Sequence, residues 1–427
     1  MKVLLIGSGG REHALAWALS RSPYCDTLYI APGNPGTQTC GVNVALNALD
    51  FEKVLEFIEK KGIVLTVIGP EQPLVAGISD FLQEKGHSVF GPSTIAAQLE
   101  GSKQFAKDFM ERHNIPTAAY KVFSGDYFTD ALEYVDARND YPVVLKADGL
   151  AGGKGVLIPE NREELLAGLQ ELCKGTLQAA AQTLILEEFM LGEEASVFAL
   201  CDGEHFEIIG TAQDHKRQLD GDRGLNTGGM GAYSPSPLLQ KDMLQMVSEQ
   251  IIAPTVEGMA AEGNPYKGFL YVGLMITPEG PKVVEFNCRF GDPECQVIIP
   301  RLQSDLLTHL VQSTKGALQE EDIVFDDQYR TTVVLVSGGY PISYQKGYPI
   351  TGIDELQQTD AIQIFHAGTK QHKGQLYTAG GRVLNVVGTG ETLQESIARA
   401  YKGLESISFV DMFYRKDIGA KGLNHVS

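Results

Sequence analysis

Three stretches of this 427-residue chain set residues that can handle phosphates and carboxylates at informative spacings. The first is Glu285-Phe286-Asn287-Cys288-Arg289, which reads as a strand and its exit. Residues i and i+2 of a strand share a face, so Glu285, Asn287 and Arg289 should point the same way. A carboxylate and an amide oxygen so spaced are hard donors that one Mg²⁺ bridges, with phosphate and water completing its shell. Arg289 beside them would neutralise an oxyanion or a carboxylate. A polar edge strand shows the same alternation, so this pattern is only moderately specific alone. The second stretch is Lys146-Ala147-Asp148-Gly149-Leu150-Ala151-Gly152-Gly153-Lys154-Gly155, between two predicted strands. It lacks the GK[ST] ending and the following helix of a Walker loop. Its four glycines suit a flap whose amides close over a polyphosphate, with Lys146 and Lys154 as point charges. A purely structural hairpin would be weakened by so much glycine. The third, 214–231, runs from Asp214-His215-Lys216-Arg217 to Gly228-Gly229-Met230-Gly231. It is long, charged and glycine-rich, as expected where small charged molecules are enclosed.

Two weaker signals accompany these. Gly7-Ser8-Gly9-Gly10 follows a predicted strand and precedes a predicted helix, but Glu12 stands where a dinucleotide fingerprint needs its third glycine. The acidic residue expected after the second strand is also missing, since Ile30 leads into Ala31-Pro32-Gly33. A nicotinamide oxidoreductase is therefore disfavoured, while a single phosphate at the helix N-terminus, with Arg11 adding charge, remains open. Leu186-Glu187-Glu188-Phe189-Met190 could be a hinge whose backbone meets an adenine edge, with Glu194 accepting from ribose hydroxyls. His215 reads as a hydrogen-bonding partner. No Gly-x-Ser-x-Gly elbow or Cys–His arrangement suggests covalent catalysis.

The elements that must position these residues change character along the chain. Over 1–100, buried apolar runs at 3–6, 28–30 and 65–68 alternate with helical signals. Phe51, Val54, Leu55 and Ile58 fall on one helical face. This rhythm predicts an open parallel sheet with ligands at the carboxyl ends of its strands. From about 102 a helix over 103–113 leads into a compact α+β stretch, with strands at 143–146, 156–158 and 184–187. Long strands are predicted at 268–277 and 282–287. The tail has strands at 332–336 and 383–387 and a closing helix over 392–404.

Lys plus Arg number 35 against 54 Asp plus Glu, a net charge of −19. So acidic a chain excludes nucleic acid and anionic membranes as partners unless a local basic patch exists, and phosphorylated substrates need a pocket of inverted sign. Six cysteines without a CxxC pair read as reduced thiols, no run approaches a membrane span, and a cytoplasmic location is expected.

Taken in order, seven motifs resemble the phosphoribosylamine–glycine ligase family of the ATP-grasp superfamily. They are Gly7-Ser8-Gly9-Gly10-Arg11-Glu12-His13, Gly69-Pro70-Glu71-Gln72-Pro73-Leu74, Gly101-Ser102-Lys103, the 146–155 loop, Gln213-Asp214-His215-Lys216-Arg217, Asn226-Thr227-Gly228-Gly229-Met230-Gly231 and Glu285 through Glu294. The resemblance implies a multidomain α/β and α+β chain. A Rossmann-like, pre-ATP-grasp domain would span 1–101, and an ATP-grasp core 102–325 with a mobile lid at about 121–191. A small β-rich domain would occupy 326–427. It implies ligation of glycine to 5-phosphoribosylamine with ATP and Mg²⁺ or Mn²⁺, through glycyl phosphate, by a monomeric chain. By the same resemblance Lys103 and Lys146 hold the phosphates, and Gly152, Gly153 and Lys154 belong to the closing flap. Glu187 and Phe189 meet adenine, Glu194 the ribose, and Glu285 and Asn287 the metal. Arg289 and Asp214 take the carboxylate and amino group of glycine. Gly9, Gly10, Arg11 and Glu71 hold the ribosylamine, and Arg301 helps at the phosphates. The strand at 269–277 lacks the further acidic ligand that many ATP-grasp enzymes carry. Another ATP-grasp ligase or a carboxylase would share the metal strand and the flap, but not the 214–217 and 226–231 segments.

Overall fold

The computed structural model describes residues 1–138, 140–149, 155–174, 182–320, 322–353 and 361–426. Val3, Leu4, Leu5 and Ile6 are wholly buried, as a continuous apolar run in the middle of a parallel sheet should be. They form β1 (Lys2–Gly7), flanked by β2 (Thr27–Pro32) and β3 (Val42–Asn43) on one side. On the other side lie β4 (Leu65–Ile68) and β5 (Val89–Phe90), giving the parallel order β3-β2-β1-β4-β5. The amphipathic helix Phe51–Lys61 packs Val54 and Ile58 on this sheet. It starts where Asp50 accepts from Lys53 N and stops at Gly62, whose φ of 65° suits glycine.

A second, four-stranded antiparallel sheet comprises β6 (Tyr120–Ser124), β7 (Val143–Ala147), β8 (Val156–Leu157) and β9 (Thr183–Glu188), in the order β6-β9-β7-β8. It has its own core. Leu165, Leu169 and Leu172 of helix Arg162–Lys174 and Ala131 and Val135 of helix Phe128–Arg138 meet Val143, Leu145, Leu184 and Leu186 there.

The largest sheet begins with β10 (Glu193–Asp202) and β11 (Phe206–Asp214). A short hairpin, β12 (Arg217–Leu219) with β13 (Arg223–Asn226), projects before β14 (Gly231–Ser234). β15 (Lys267–Thr277), β16 (Gly280–Asn287) and β17 (Tyr329–Val336) follow. The tail adds β18 (Pro349–Ile350), β19 (Ile362–His366), β20 (Thr369–His372), β21 (Gln375–Thr378) and β22 (Arg382–Gly390). Eight of these strands form one sheet in the order β16-β15-β10-β11-β14-β17-β22-β19. Pairing of Gly231 to Val333 and Ser234 to Arg330 carries the sheet across into the C-terminal region. Between β14 and β15 the chain is helical, from Lys241–Val247 through a wide turn at Ser248–Ile252 to Ala253–Ala261. The sequence reading, which places long strands at 268–277 and 282–287, does not include this helix. Among the described residues no helix is long and apolar enough to cross a membrane.

Candidate active site

Helix Lys103–Arg112 and the four-stranded sheet together bring three lysines and one glutamate to the edge strand of the large sheet. Ser102 caps helix Lys103–Arg112 by accepting from Phe105 N at 3.1 Å. Asp148, at the root of the glycine-rich loop, accepts from Lys103 N at 2.6 Å and Gln104 N at 3.2 Å. Lys103 Nζ donates to Gly149 O at 2.9 Å. The helix end is thus tied to the loop at two points. Lys146, on β7, lies 2.9 Å from Glu187 Oε1 and donates to Val284 O at 3.0 Å. On its other oxygen Glu187 meets Lys107 Nζ at 3.2 Å. Burial lowers both Lys103 and Lys107, the latter to about 8. Sequence reasoning missed Lys107, although it follows Lys103 at i+4, a spacing that shares a helical face. Gly152, Gly153 and Lys154 lie outside the described residues.

A β-bulge shapes β16. Gly273 pairs with Glu285 and Leu274 with Val283, so Val284 is the extra residue. Its carbonyl is the one that receives Lys146. Glu285 and Asn287 follow on β16, both half-buried. Burial favours the neutral acid at Glu285, but Lys216, Lys146, Lys103 and Arg289 overcome it and hold the carboxylate below its ordinary range. Lys216 lies inside the 213–217 motif, where only Asp214 carries an expected role. Its ammonium lies 3.2 Å from Glu194 Oε2 and 3.6 Å from Glu285 Oε1, in a recess lined by Asp214, Tyr271 and Gly273. These acids and Tyr271 raise its affinity for the proton despite burial. Among the described residues no three His, Cys, Asp or Glu side chains group as a metal shell. Glu285 and Asn287 fit a hard divalent cation as two oxygen donors, the remaining ligands coming from phosphate and water.

Arg289 lies past the end of β16, held from two sides. Nη2 is 2.7 Å from Glu100 Oε1 and Nε is 3.3 Å from Glu71 Oε2. Glu100 also accepts from Cys288 N at 2.8 Å. Next to it Phe290 stacks on Phe198 at 4.7 Å, which anchors the turn in the core. Asp214, at the end of β11, is raised first by burial and then by Glu194 and Glu285. Glu294, to which no role was given, is raised by burial and by Asp214. The charges of Asp214, Lys216 and Arg289 are thus all felt at Glu294, Asp214 raising it and the two cations opposing.

The turn after β1 is not an open anion slot. Gly9 N donates to Glu12 Oε2 at 2.6 Å and Arg11 N to Asp292 Oδ2 at 3.4 Å. The Arg11 guanidinium turns inward to Glu12 and Phe290 O. Gly10 is packed so closely that a Cβ would lie 2.4 Å from Gln296 Nε2. The chain's own carboxylates therefore hold the helix end assigned to phosphate. Glu71 stays near the site through Arg289. Arg301 does not join the lysines: it donates to Ser234 Oγ at 3.1 Å and Asp326 O at 2.8 Å, bracing the β14–β17 seam. His215 is a hydrogen-bonding partner, accepting from Gly419 N at 3.2 Å. Phe189 is exposed at the lid edge, as is Glu194 at the start of β10.

This pairing of a lysine-bearing lid with a carboxylate–amide strand, behind an N-terminal parallel sheet, defines the chain as an ATP-grasp protein. The ATP-grasp (A) domain of phosphoribosylglycinamide synthetase matches residues 101–295, its N domain residues 1–100 and its C domain residues 330–421. The chain belongs to the phosphoribosylglycinamide synthetase family. It is 50% identical over 419 residues to a phosphoribosylamine–glycine ligase of Mesorhizobium japonicum, covering 98% of each chain. It is 47% identical over 428 residues to the protein of that name from Escherichia coli O157:H7, covering 99% of each. The crystal structure of the Thermotoga maritima phosphoribosylamine–glycine ligase superposes with a TM-score of 0.85 at 35% identity, over 98% of this chain and 100% of that one. A biotin carboxylase domain from Hydrogenobacter thermophilus, solved with MgADP, shares the fold at 17% identity and a TM-score of 0.73, over 96% and 91% of the two chains.

Proposed function

We propose that the chain is the ATP-dependent carbon–nitrogen ligase that joins glycine to 5-phosphoribosylamine, giving glycinamide ribonucleotide, ADP and phosphate in purine biosynthesis. One observation carries this reading: Glu285 lies in the combined field of Lys103, Lys146, Lys216 and Arg289, a cationic nook within an acidic protein. Such a nook suits a polyphosphate meeting a carboxylate.

A glycine carboxylate oxygen attacks the γ-phosphorus of ATP, the bond to ADP breaks, and glycyl phosphate forms. The ribosylamine nitrogen then attacks the carbonyl carbon and loses a proton, and phosphate leaves with one of glycine's oxygens. The protein positions the reactants, neutralises charge and excludes water. Lys103 and Lys146 hold the phosphates under the flap of Gly152, Gly153 and Lys154. Mg²⁺ or Mn²⁺ on Glu285 and Asn287 would neutralise phosphate charge. The backbones at Glu187 and Phe189 take adenine, and Glu194 the ribose. Arg289 orients the carboxylate of glycine. Asp214 and Glu294 face its ammonium, which stays protonated and so cannot compete as a nucleophile. Glu71 holds the ribosylamine, with the turn of Gly9, Gly10 and Arg11 as the wall behind it. The chain works as a monomer in the cytoplasm, where its six free thiols stay reduced. The test is phosphate release from ATP with glycine and freshly made ribosylamine. Release should need both, and equal release with either one omitted overturns the proposal.

A further inference from the structure

Lys107 is the member of the lysine group for which the proposed reaction has no use. Its side chain is 3% exposed, and its three ammonium protons have three oxygen partners. These are Glu187 Oε2 at 3.2 Å, Thr117 Oγ1 at 2.8 Å and Ala118 O at 3.3 Å. The face of Tyr120 covers it at 5.6 Å. No direction is left for a phosphate.

Those partners close a ring. Thr117 Oγ1 in turn donates to Val283 O at 2.7 Å. Val283 adjoins the bulge at Val284, whose carbonyl takes Lys146, and Lys146 returns to Glu187. Helix Lys103–Arg112, lid strands β7 and β9 and metal strand β16 are thereby joined through Lys107, Thr117, Lys146 and Glu187. Charge completes the argument. Glu187 is buried beside the place where a polyphosphate must come, and an unpaired carboxylate there would be costly and would repel it. When Lys146 turns from Glu187 to a phosphate, Lys107 is the cation that stays. Two ammonium groups and one carboxylate leave the cluster at +1, and bound nucleotide takes up that charge.

We propose that Lys107 is a positioning residue for nucleotide binding, holding the Glu187 side chain paired and in place so that Lys146 is free to move onto the phosphates. This rests on reading Lys146 as a phosphate-binding lysine.

The experiment measures MgATP binding without glycine, and steady-state kinetics, for the wild type, Lys107→Met and Lys107→Ala. Lys107→Met keeps the volume and removes the charge. It should weaken MgATP binding and raise KM for ATP by about tenfold, the scale of one charged hydrogen bond. KM for glycine should stay within about twofold, as for a distant independent site. Lys107→Ala opens a cavity in which added propylammonium should restore nucleotide affinity and propanol should not. Nucleotide binding by Lys107→Met within about twofold of wild type overturns the inference, as does a matching rise in both KM values. Rescue by propanol also overturns it, because packing alone would then be the role. A wild-type protein that fails to bind MgATP overturns the phosphate reading instead.

Discussion

Arg289 and Glu100 form a 2.7 Å ion pair in which the arginine is 17% and the glutamate 8% exposed. Burial pushes Glu100 up, and only Arg289 among its charged neighbours works strongly the other way. The pair therefore fixes both the charge of one group and the direction of the other. A guanidinium so held, with Nη1 also donating to Phe290 O at 3.2 Å, keeps one orientation, as recognition of a small carboxylate requires. Glu100→Gln keeps the shape and removes the charge, leaving Glu71 as the remaining acid partner of Arg289. We expect KM for glycine to rise about tenfold with KM for ATP little changed. Steady-state kinetics with each substrate varied checks this. An unchanged glycine KM would remove Arg289 from the carboxylate site.

Glu285 gives a prediction of a different shape. Its side chain is 41% exposed, and its nearest ion-pair partner, Lys216, is 3.6 Å away. An ion pair so long and so half-exposed adds little to stability, whereas a metal-bound polyphosphate would depend on Glu285 heavily. Glu285→Ala should lose turnover by about a hundredfold or more while melting close to wild type. Near-normal activity would cancel the metal assignment, and a collapsed melting temperature would mark Glu285 as structural.

What the sequence revealed of this site, and what it hid, follows from distance along the chain. Glu285, Asn287 and Arg289 were readable because their relation is local to one strand. Even so, the bulge at Val284 and the bend that carries Arg289 beyond the strand left no mark in the alternation. Glu100 and Arg289 are separated by 189 positions, and no periodicity links them. Lys107 was within reach of a spacing argument from Lys103, but its meaning depends on Glu187 in the lid. The anion slot at Gly9 was inferred from helix-end physics. The structure meets that physics with Glu12 and Asp292, since a helix N-terminus accepts a carboxylate from its own chain as readily as a ligand. In the fold, parallel strands such as β1 stood out as unbroken apolar runs. The helical stretch ending in Ala253–Ala261 did not, because Pro254 reads as a breaker. The wide turn at Ser248–Ile252 precedes it and lets the helix continue.

Isotope labelling tests the order of bond making independently of any mutant. If glycine's carboxylate attacks ATP before the amine attacks glycine, one carboxylate oxygen must leave with phosphate. Glycine labelled with ¹⁸O in its carboxylate should transfer label to the released phosphate, read by mass spectrometry. Unlabelled phosphate would exclude glycyl phosphate even with every residue assignment intact.

The last prediction concerns a contact far from the chemistry. His13, in helix Gly10–Ser20, accepts from His366 N at 2.8 Å through Nδ1, joining the N-terminal region to β19. The His13 ring meets Phe365 edge-on at 5.3 Å, and Gly36 lies so close that a Cβ there would come within 2.2 Å of it. Neither ring has room for a hydrated charge. Burial lowers His13 to about 3, with the charge of His366 adding to it, and burial alone lowers His366 to about 4. Both are neutral in the folded protein, while in the unfolded chain they protonate near 6.5. The unfolded state therefore binds more protons below that pH. The stabilisation is complete above about 6.5 and is lost as pH falls, approaching about 1.4 kcal/mol per pH unit for each histidine. Carboxylates held below their ordinary range, such as Glu71 and Asp292, contribute only at lower pH. Thermal melting between about pH 7.5 and 5 should show the wild-type Tm falling on the acid side. His13→Asn, whose amide oxygen can take the His366 N–H, should flatten that fall. A wild-type Tm level across the range, or an acid limb untouched in His13→Asn, would show that this histidine pair does not set the acid stability of the fold.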